Sequence, residues 1–212
     1  MLTGLAARAS LWNRQRKLAL FLEELQPGPE TTIVDVGVGD TGFDTEPGVA
    51  LSHNFFEAMY PWPGQITAVS DVPLPNFAQE FPQIAPVTAS GTDLPFQDDS
   101  FDIAFSNAVL EHVGSPEEQR RFVHELCRVA PRVFVSTPNR RFPVEVHTLV
   151  PFLHWLPRRA RDRAFAAIRR DAWRGVELLN RRELLELFPP GAQVRVVESL
   201  MTISVVAERS SK

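Results

Sequence analysis

Apolar and polar positions along this chain follow two periods, one typical of helices and one typical of strands. Helical spacing runs over residues 5–25, 48–60, 116–130 and 177–188. Short β-branched or alternating runs predict strands at 31–36, 66–69, 86–89, 101–106, 132–136, 193–198 and 202–208. Strands that alternate with helices indicate a parallel sheet covered by helices on both faces.

The last two predicted strands are separated by only residues 199–201, which favours an antiparallel hairpin. We therefore expect an α/β fold with a seven-stranded, mostly parallel sheet whose last strand is antiparallel. The chain is interpreted as one domain, 1–212. Its predicted parts are a leading helix (1–28), a core (29–137), an irregular insertion rich in proline, aromatic residues and arginine (138–176), and a final helix with the hairpin (177–212).

Composition narrows the classes of function. The chain has 212 residues, of which 44% are hydrophobic and 23% charged, as in an ordinary globular domain. Its net charge of −4 argues against a general nucleic-acid binder. We expect no transmembrane helix, because no run of about twenty apolar residues occurs, and no signal peptide. The single cysteine, Cys127, falls in an apolar helical pattern and is interpreted as a structural thiol, which fits a cytoplasmic protein.

A glycine-rich turn, Gly37-x-Gly39-x-x-Gly42, follows the first predicted strand. Glycines allow a tight turn and a close approach of the backbone to a ligand, and ligands of open α/β sheets bind at the carboxyl ends of strands. The same spacing occurs in dinucleotide-binding proteins, so a nicotinamide-dependent oxidoreductase is one alternative. Against it, residues 43–47 make a poor helix start, and Asp71 lies 29 residues after Gly42 rather than the roughly 20 expected of a ribose-binding acid.

A second motif, SGTDLPF at 90–96, is followed by DSFD at 99–102 and by SNAVLEH at 106–112. Together with the glycine turn and Asp35, this order resembles class I S-adenosylmethionine-dependent methyltransferases, and within them the small-molecule, methyltransferase type 11-like group. The resemblance covers roughly residues 31–139. It implies a Rossmann-like three-layer sandwich, S-adenosyl-L-methionine as cofactor, and methyl transfer to an oxygen, nitrogen or carbon nucleophile.

The resemblance also implies which residues bind the cofactor. These are Asp35, Gly37, Val38, Gly39, Asp71, Gly91, Thr92, Asp93, Leu94 and Asn107. Asp35 is expected to face the cofactor's ammonium, the acid after the second strand its ribose, Leu94 its adenine, and Asn107 its amino-acid tail. Ser70 and Ser90 stand where the family usually has acids, which keeps a non-catalytic, cofactor-binding regulatory subunit open as an alternative.

His112, Glu145 and His147 are the candidate catalytic residues. A histidine with an ordinary pKa is a reasonable general base for a hydroxyl or amine acceptor. His112 follows the fourth strand, in the stretch that borders the methyl-transfer site of the resembling family; a structural role is an equal alternative for it. Glu145 and His147 lie in the insertion, which is interpreted as a lid or acceptor pocket. No cysteine–histidine cluster has metal-ligand spacing, so no metal is expected.

Arginines interleave with aromatic and aliphatic residues over 149–174. Such a segment is typical of a solvated helix face, and also of peripheral contact with an anionic membrane or a phosphorylated substrate. The expected acceptor is therefore a small molecule, a lipid-linked molecule or a glycan. An RNA or protein acceptor is disfavoured by the acidic net charge. The expected location is the cytoplasm, with a peripheral membrane site as the alternative.

Overall fold

The structure, a computed structural model, describes residues 2–40, 54–144, 150–167 and 176–209. Six helices occur in these ranges: α1 (Leu2–Leu25), α2 (Phe55–Met59), α3 (Pro75–Glu80), α4 (Pro116–Val129), α5 (Arg158–Ala167) and α6 (Arg181–Leu185). The strands in the same ranges are β1 (Ile33–Val36), β2 (Ile66–Ser70), β3 (Ala85–Thr88), β4 (Ile103–Asn107), β5 (Arg132–Pro138), β6 (Ala192–Glu198) and β7 (Thr202–Arg209). Short 3-10 turns lie at Pro63–Gln65, Leu110–His112 and Leu153–Trp155.

The strands form one sheet in the order β3-β2-β1-β4-β5-β7-β6. Strands β1 to β5 are parallel to one another, whereas β7 is antiparallel to both β5 and β6. This arrangement confirms the predicted α/β fold, including the antiparallel last strand and the hairpin. The strand order reverses between β1 and β4, and open α/β sheets bind ligands in the crevice at such a point.

Helices cover both faces of the sheet. Alternate residues of a strand point to opposite faces, and the apolar residues on each face pack against helices. On one face, Ile33, Ile103 and Phe105 pack against α1, α2 and α3 in a core rich in phenylalanine. On the other face, Val34 and Ala104 belong to an aliphatic core with α4 and α6. The result is the three-layer sandwich that the resemblance implied.

One helix prediction needs correction, and one helix was missed. The helix predicted over 177–188 is shorter, because the Asn180 side chain accepts hydrogen bonds from the N–H groups of Arg182 and Glu183 and so starts α6 at Arg181. Helix α3, between β2 and β3, was not predicted at all. Of the helix predicted over 48–60, the described part contains α2, and residues 48–53 lie outside the described residues.

Candidate functional site

The glycine turn lies at the carboxyl end of β1, where the strand order reverses. Gly37 has φ +105°, and a Cβ placed on it would lie 2.1 Å from Val109 Cγ2 of the loop after β4. Both facts require glycine at this position. The N–H groups of Gly37 and Val38 donate to the Val69 carbonyl at 2.8 and 3.1 Å, so the turn is fixed against β2.

The next two residues of the turn are held by side chains. The Asn54 amide donates to the Gly39 carbonyl at 2.9 Å and accepts from the Gly39 N–H at 3.3 Å. The Asp40 carboxylate accepts from the N–H groups of Asn76 and Phe77 in the first turn of α3, at 2.8 and 3.0 Å. The segment Gly37–Asp40 is therefore anchored to β2, to Asn54 and to α3. Gly42 lies outside the described residues.

Asp35 faces a second buried acid. The alternation along β1 turns Asp35 toward the helices α1 and α2, on the same face as Ile33. Its carboxyl group lies against that of Glu57 on α2, and both side chains are buried. Burial, with the neighbouring Glu57 charge, raises the pKa of Asp35 well above its ordinary value, and burial raises the pKa of Glu57 to about 6. Two such carboxyls do not both ionise without a cation beside them.

Lys17 brings a buried positive charge to the same side of the sheet. Its ammonium donates to Asn107 Oδ1 at the end of β4 and lies 5.2 Å from the centre of the Phe55 ring. No carboxylate lies within ion-pairing distance of it among the described residues. Burial lowers the pKa of Lys17 to about 7, and the neighbouring Arg14 adds to this effect while Glu111 opposes it.

The loop after β4 carries the residues that the sequence placed beside the methyl-transfer site. Ala108 adopts φ +57°, an uncommon conformation for a residue with a side chain. Glu111 is buried and accepts from the Thr137 hydroxyl of β5 at 3.0 Å. The side chain of the adjacent His112 is exposed. The structure therefore brings Asn107 to Lys17 and leaves His112 at the surface.

Asp71 directly follows β2, and its side chain is exposed at the carboxyl end of the strand. Ser70 is buried, and its hydroxyl accepts from the Val72 N–H at 3.4 Å. Because β2 ends at Ser70, the two-sided alternation of the strand does not fix the direction of Asp71. Asp71 is thus an exposed acid at this edge of the sheet, and its contact with the cofactor stays a prediction.

The 90–96 motif forms a turn that is tied to α4. Ser90 accepts from the Thr92 N–H through its hydroxyl and from the Asp93 N–H through its carbonyl, and both acceptors lie at the exposed tip of the loop. A Cβ on Gly91 would lie 2.4 Å from the Phe122 ring, so close packing requires glycine there. Leu94 is buried, and its N–H donates to Glu125 at 2.8 Å.

Arg128 completes this support from the same helix. Its guanidinium donates to the carbonyls of Leu94 and Phe96, and it pairs with Glu125 at 2.7 Å. The Leu94 N–H is thus already bound within the protein. A contribution of Gly91, Thr92, Asp93 and Leu94 to cofactor binding stays a prediction.

The insertion contributes a cavity of about 320 Å³ next to the end of β5. Its described lining consists of Arg140, His154, Trp155, Arg161, Glu177 and Leu178. The Glu177 N–H donates to the Glu111 carbonyl at 2.9 Å, which joins the wall of this cavity to the loop after β4. Glu145 and His147 lie outside the described residues, so their predicted catalytic roles stay predictions.

The arginines of this cavity have carboxylate partners. Arg161 pairs with Glu177 at 3.0 Å, and Arg140 pairs with Glu183 of α6 at 2.9 Å. His154 is buried and shares the Arg140 carbonyl with the Trp155 indole, at 3.0 and 2.7 Å. Since a carbonyl only accepts, His154 donates through Nε2, and its buried Nδ1 has no hydrogen-bond partner.

Other features bear on the classes of function. Nowhere in the part of the chain that the structure describes do three or more His, Cys, Asp or Glu side chains gather as metal ligands. None of the described helices has the length and apolar character needed to cross a bilayer. Cys127 is partly buried, and burial raises the pKa of its thiol to about 12, which fits a structural residue rather than a nucleophile.

Comparisons with known proteins bear on the family. Residues 34–132 match the family model described as a methyltransferase domain. The N-methyltransferase NodS from Bradyrhizobium japonicum, solved with S-adenosyl-l-homocysteine, is 13% identical with a TM-score of 0.59, over 93% of this chain and 87% of NodS. A SAM-dependent methyltransferase from Aquifex aeolicus is 18% identical with a TM-score of 0.53, over 89% of this chain and 87% of its own.

Residues 34–132 belong to the methyltransferase domain family. The fold around them is that of S-adenosylmethionine-dependent methyltransferases. A further similar structure is the 1,6-didemethyltoxoflavin-N1-methyltransferase from Burkholderia thailandensis, solved with its acceptor and S-adenosylhomocysteine. It is 17% identical with a TM-score of 0.56, over 96% of this chain and 82% of its own. No curated protein matches the sequence.

The family match confirms the predicted cofactor class, S-adenosyl-L-methionine, for this methyltransferase, and disfavours the nicotinamide alternative.

Sequence reasoning missed Lys17 and Glu57. The signal for Lys17 was present: Leu18, Phe21 and Leu25 form the buried stripe of α1, and Lys17 falls on that stripe one turn before Phe21. Glu57 had no comparable signal, because only the fold brings α2 against the end of β1.

Proposed function

We propose that this methyltransferase transfers a methyl group from S-adenosyl-L-methionine to a small-molecule acceptor held by its insertion. One observation supports the choice of cofactor: buried acidic groups and a buried ammonium group, none of them in an ion pair, lie at the strand-order reversal. Within the described residues, neither of the acids Asp35 and Glu57 forms an ion pair, and Lys17 has no carboxylate within ion-pairing distance. A ligand with both an ammonium and a carboxylate would supply both missing partners.

The amino-acid tail of S-adenosyl-L-methionine has those two groups. Asp35 and Glu57 would hold its ammonium, and Lys17 with Asn107 would hold its carboxylate, through charge-assisted hydrogen bonds. Glu57 Oε1 has no hydrogen-bond partner, which supports a ligand donor at this position. The residues present therefore fit the group.

The remaining contacts are proposed along the edge of the sheet. Asp71, exposed after β2, would accept hydrogen bonds from the ribose hydroxyls, and the Gly91–Asp93 turn would meet the adenine. The backbone of Gly37, Val38 and Gly39 would pass beside the ribose and tail. When bound, the cofactor supplies an electrophilic methyl group on a sulfonium. The protein's own part is to align the acceptor with that methyl group and to exclude water.

The acceptor site is proposed at the cavity of the insertion. Its wall joins the loop after β4 through the Glu177–Glu111 hydrogen bond, and it offers the Trp155 ring, two arginines and His154. Because each arginine already has a carboxylate partner, this lining favours a neutral, polar small molecule over a free phosphate. His112, Glu145 and His147 are retained as candidate general bases, and a base is not required if the acceptor atom is already nucleophilic.

Calorimetry with S-adenosylhomocysteine tests the cofactor proposal. We expect binding of S-adenosylhomocysteine and none of NADH. The absence of any binding would favour a degenerate module, consistent with Ser70 and Ser90 in the usual acidic positions. Binding of S-adenosylhomocysteine without transfer of a labelled methyl group to any member of a hydroxyl- and amine-bearing panel would favour the non-catalytic regulatory subunit.

A lipid-linked acceptor is a second candidate. The observation that favours it is the exposure of Phe152 and Trp155 beside the cavity. The same labelled-methyl assay, run on detergent-extracted lipids, separates the two candidates, because a lipid-linked product partitions into the organic phase.

A further inference from the structure

The insertion presents three large apolar side chains to solvent within five residues of sequence. Phe152 is 55% exposed, Trp155 51% and Leu156 42%. Single exposed apolar residues are common on protein surfaces, but a contiguous group marks an interaction surface more often than chance. We refer to Phe152, Trp155 and Leu156 as the aromatic tip.

The aromatic tip is held rigidly. Phe152 adopts φ +62°, a left-handed conformation that is strained for an aromatic residue, and its N–H donates to the Pro143 carbonyl at 2.6 Å. The Trp155 indole donates to the Arg140 carbonyl at 2.7 Å, and the Phe152 and Trp155 rings lie 5.2 Å apart. The fold thus keeps these rings exposed at a cost in backbone strain, although packing them inward would remove apolar area from water.

Positive charge lies beside the aromatic tip. Helix α5 begins two residues after Leu156, and Arg159 and Arg163 on it are exposed. Arg161, between them, is turned inward to Glu177. This local basic surface contrasts with the net charge of −4 of the whole chain.

The size and chemistry of the aromatic tip decide between occupants. Half-exposed side chains of these three types offer on the order of 300 Å², well below the roughly 800 Å² that each partner contributes to a stable protein–protein interface. A second copy of the chain or another protein is therefore a poor occupant. Tryptophan and phenylalanine with flanking arginines match the headgroup region of an anionic bilayer.

We propose that the aromatic tip inserts into the interfacial region of an anionic membrane, with Arg159 and Arg163 meeting its headgroups. Trp155 also lines the cavity of the insertion, so the bilayer would lie next to the mouth of the proposed acceptor site. The membrane contact does not depend on the proposed methyl transfer and is tested separately from it.

The test is sedimentation of the full chain with vesicles of phosphatidylcholine containing about one third phosphatidylserine, compared with phosphatidylcholine alone. We expect binding to the anionic vesicles and much less to the neutral ones. Phe152→Asn combined with Leu156→Ser should lower the partition coefficient about tenfold or more. Asparagine tolerates the left-handed backbone at position 152, so this variant is chosen to keep the fold.

Trp12→Ser is the matched control, because Trp12 on α1 is also exposed, at 56%, and also lies beside an arginine, Arg16 at 5.4 Å. This variant should bind vesicles as the parent chain does. Calorimetry with S-adenosylhomocysteine on the parent and both variants reports the fold and the cofactor site independently. No sedimentation of the parent chain with anionic vesicles, or an equal loss in Trp12→Ser, would overturn the proposal.

Discussion

The two ends of the proposed active site differ in whether their charged side chains form ion pairs. At the strand-order reversal, Asp35, Glu57 and Lys17 are buried, and none of them forms an ion pair within the described residues. At the insertion, Arg140 and Arg161 each form an ion pair with a glutamate. Burying a charge without a partner is costly, and on that ground we proposed a charged ligand for the first arrangement and a neutral one for the second. Substitutions at either end of the site test this difference.

The largest effect is expected at Lys17. Lys17→Met should weaken the binding of S-adenosylhomocysteine by about 30- to 100-fold, because one charge-assisted hydrogen bond to the carboxylate is lost. The free energy of unfolding of the unliganded protein should not fall, since a buried, unmatched charge is removed. Calorimetry and urea unfolding measure the two quantities.

Arg16→Met is the control for this experiment, because Arg16 lies next in sequence but on the exposed face of α1. It should leave the dissociation constant unchanged. An unchanged dissociation constant in Lys17→Met would contradict the role of Lys17 in holding the carboxylate.

The next effect concerns pH. Burial raises the pKa of Glu57 from 4.5 to about 6, so between these values the folded, unliganded protein binds more protons than the unfolded chain. Glu57 alone should therefore lower the free energy of unfolding by about 2 kcal/mol as pH rises through this window, and the raised pKa of the buried Asp35 should add to the fall. Glu57→Gln should reduce the slope without abolishing it, because Asp35 stays buried. Urea unfolding at a series of pH values measures the slope.

Glu117→Gln, on the exposed start of α4, controls for the general effect of removing a carboxylate. It should retain the slope of the parent chain. A parent chain whose stability rises over the same window would show that the pair Asp35–Glu57 has a cation beside it, and would remove the contrast between the two ends of the site.

A smaller effect is expected from the ion pair of the insertion. Arg161→Met leaves the Glu177 carboxylate without its partner, but Glu177 is partly exposed and can be hydrated. We expect a loss of about 1–2 kcal/mol in the free energy of unfolding, with unchanged affinity for S-adenosylhomocysteine. A double-mutant cycle with Glu177→Gln isolates the interaction between Arg161 and Glu177. A coupling energy of zero would contradict an ion pair between them.

The smallest effect is expected at Glu183, whose pair with Arg140 is partly exposed on both sides. Glu183→Gln keeps a side-chain oxygen that can accept from the Asn180 N–H, so the capping box of α6 is retained. The free energy of unfolding should change by less than about 1 kcal/mol. Glu183→Ala, which also removes the cap, should cost more in thermal unfolding; equal losses would assign the effect to the ion pair rather than the cap.

Most of the sheet could be predicted from sequence, because buried parallel strands are short apolar runs bounded by turn residues. The alternation of side-chain direction along β1 and β4 also bears on the site. Asp35 and Asn107 share a face with Ile33 and Ile103, so both face the helices that precede and follow β1. That pattern predicts a common site, although it does not identify which helix residues complete it.

The remaining parts depended on contacts between distant segments. Glu57 meets Asp35 only because α2 packs on the end of β1, and a six-residue helix such as α3 gives too short a period to detect. The length of α6 was overestimated, because residues 177–179 make hydrogen bonds and a bridge to Glu111, Asn139 and Arg140 instead of a helical turn. Local propensity could not reveal those partners.

Asp40 links the glycine turn to helix α3, which begins 35 residues later in the chain. Any opening of the glycine turn in the unliganded protein would remove the acceptor of these two α3 amide protons, and a ligand that holds the turn closed would reduce such opening. Hydrogen–deuterium exchange at Asn76 and Phe77 is thus a remote reporter of the glycine turn: slower exchange on saturation with S-adenosylhomocysteine would register occupancy at positions outside the contacts proposed for the ligand.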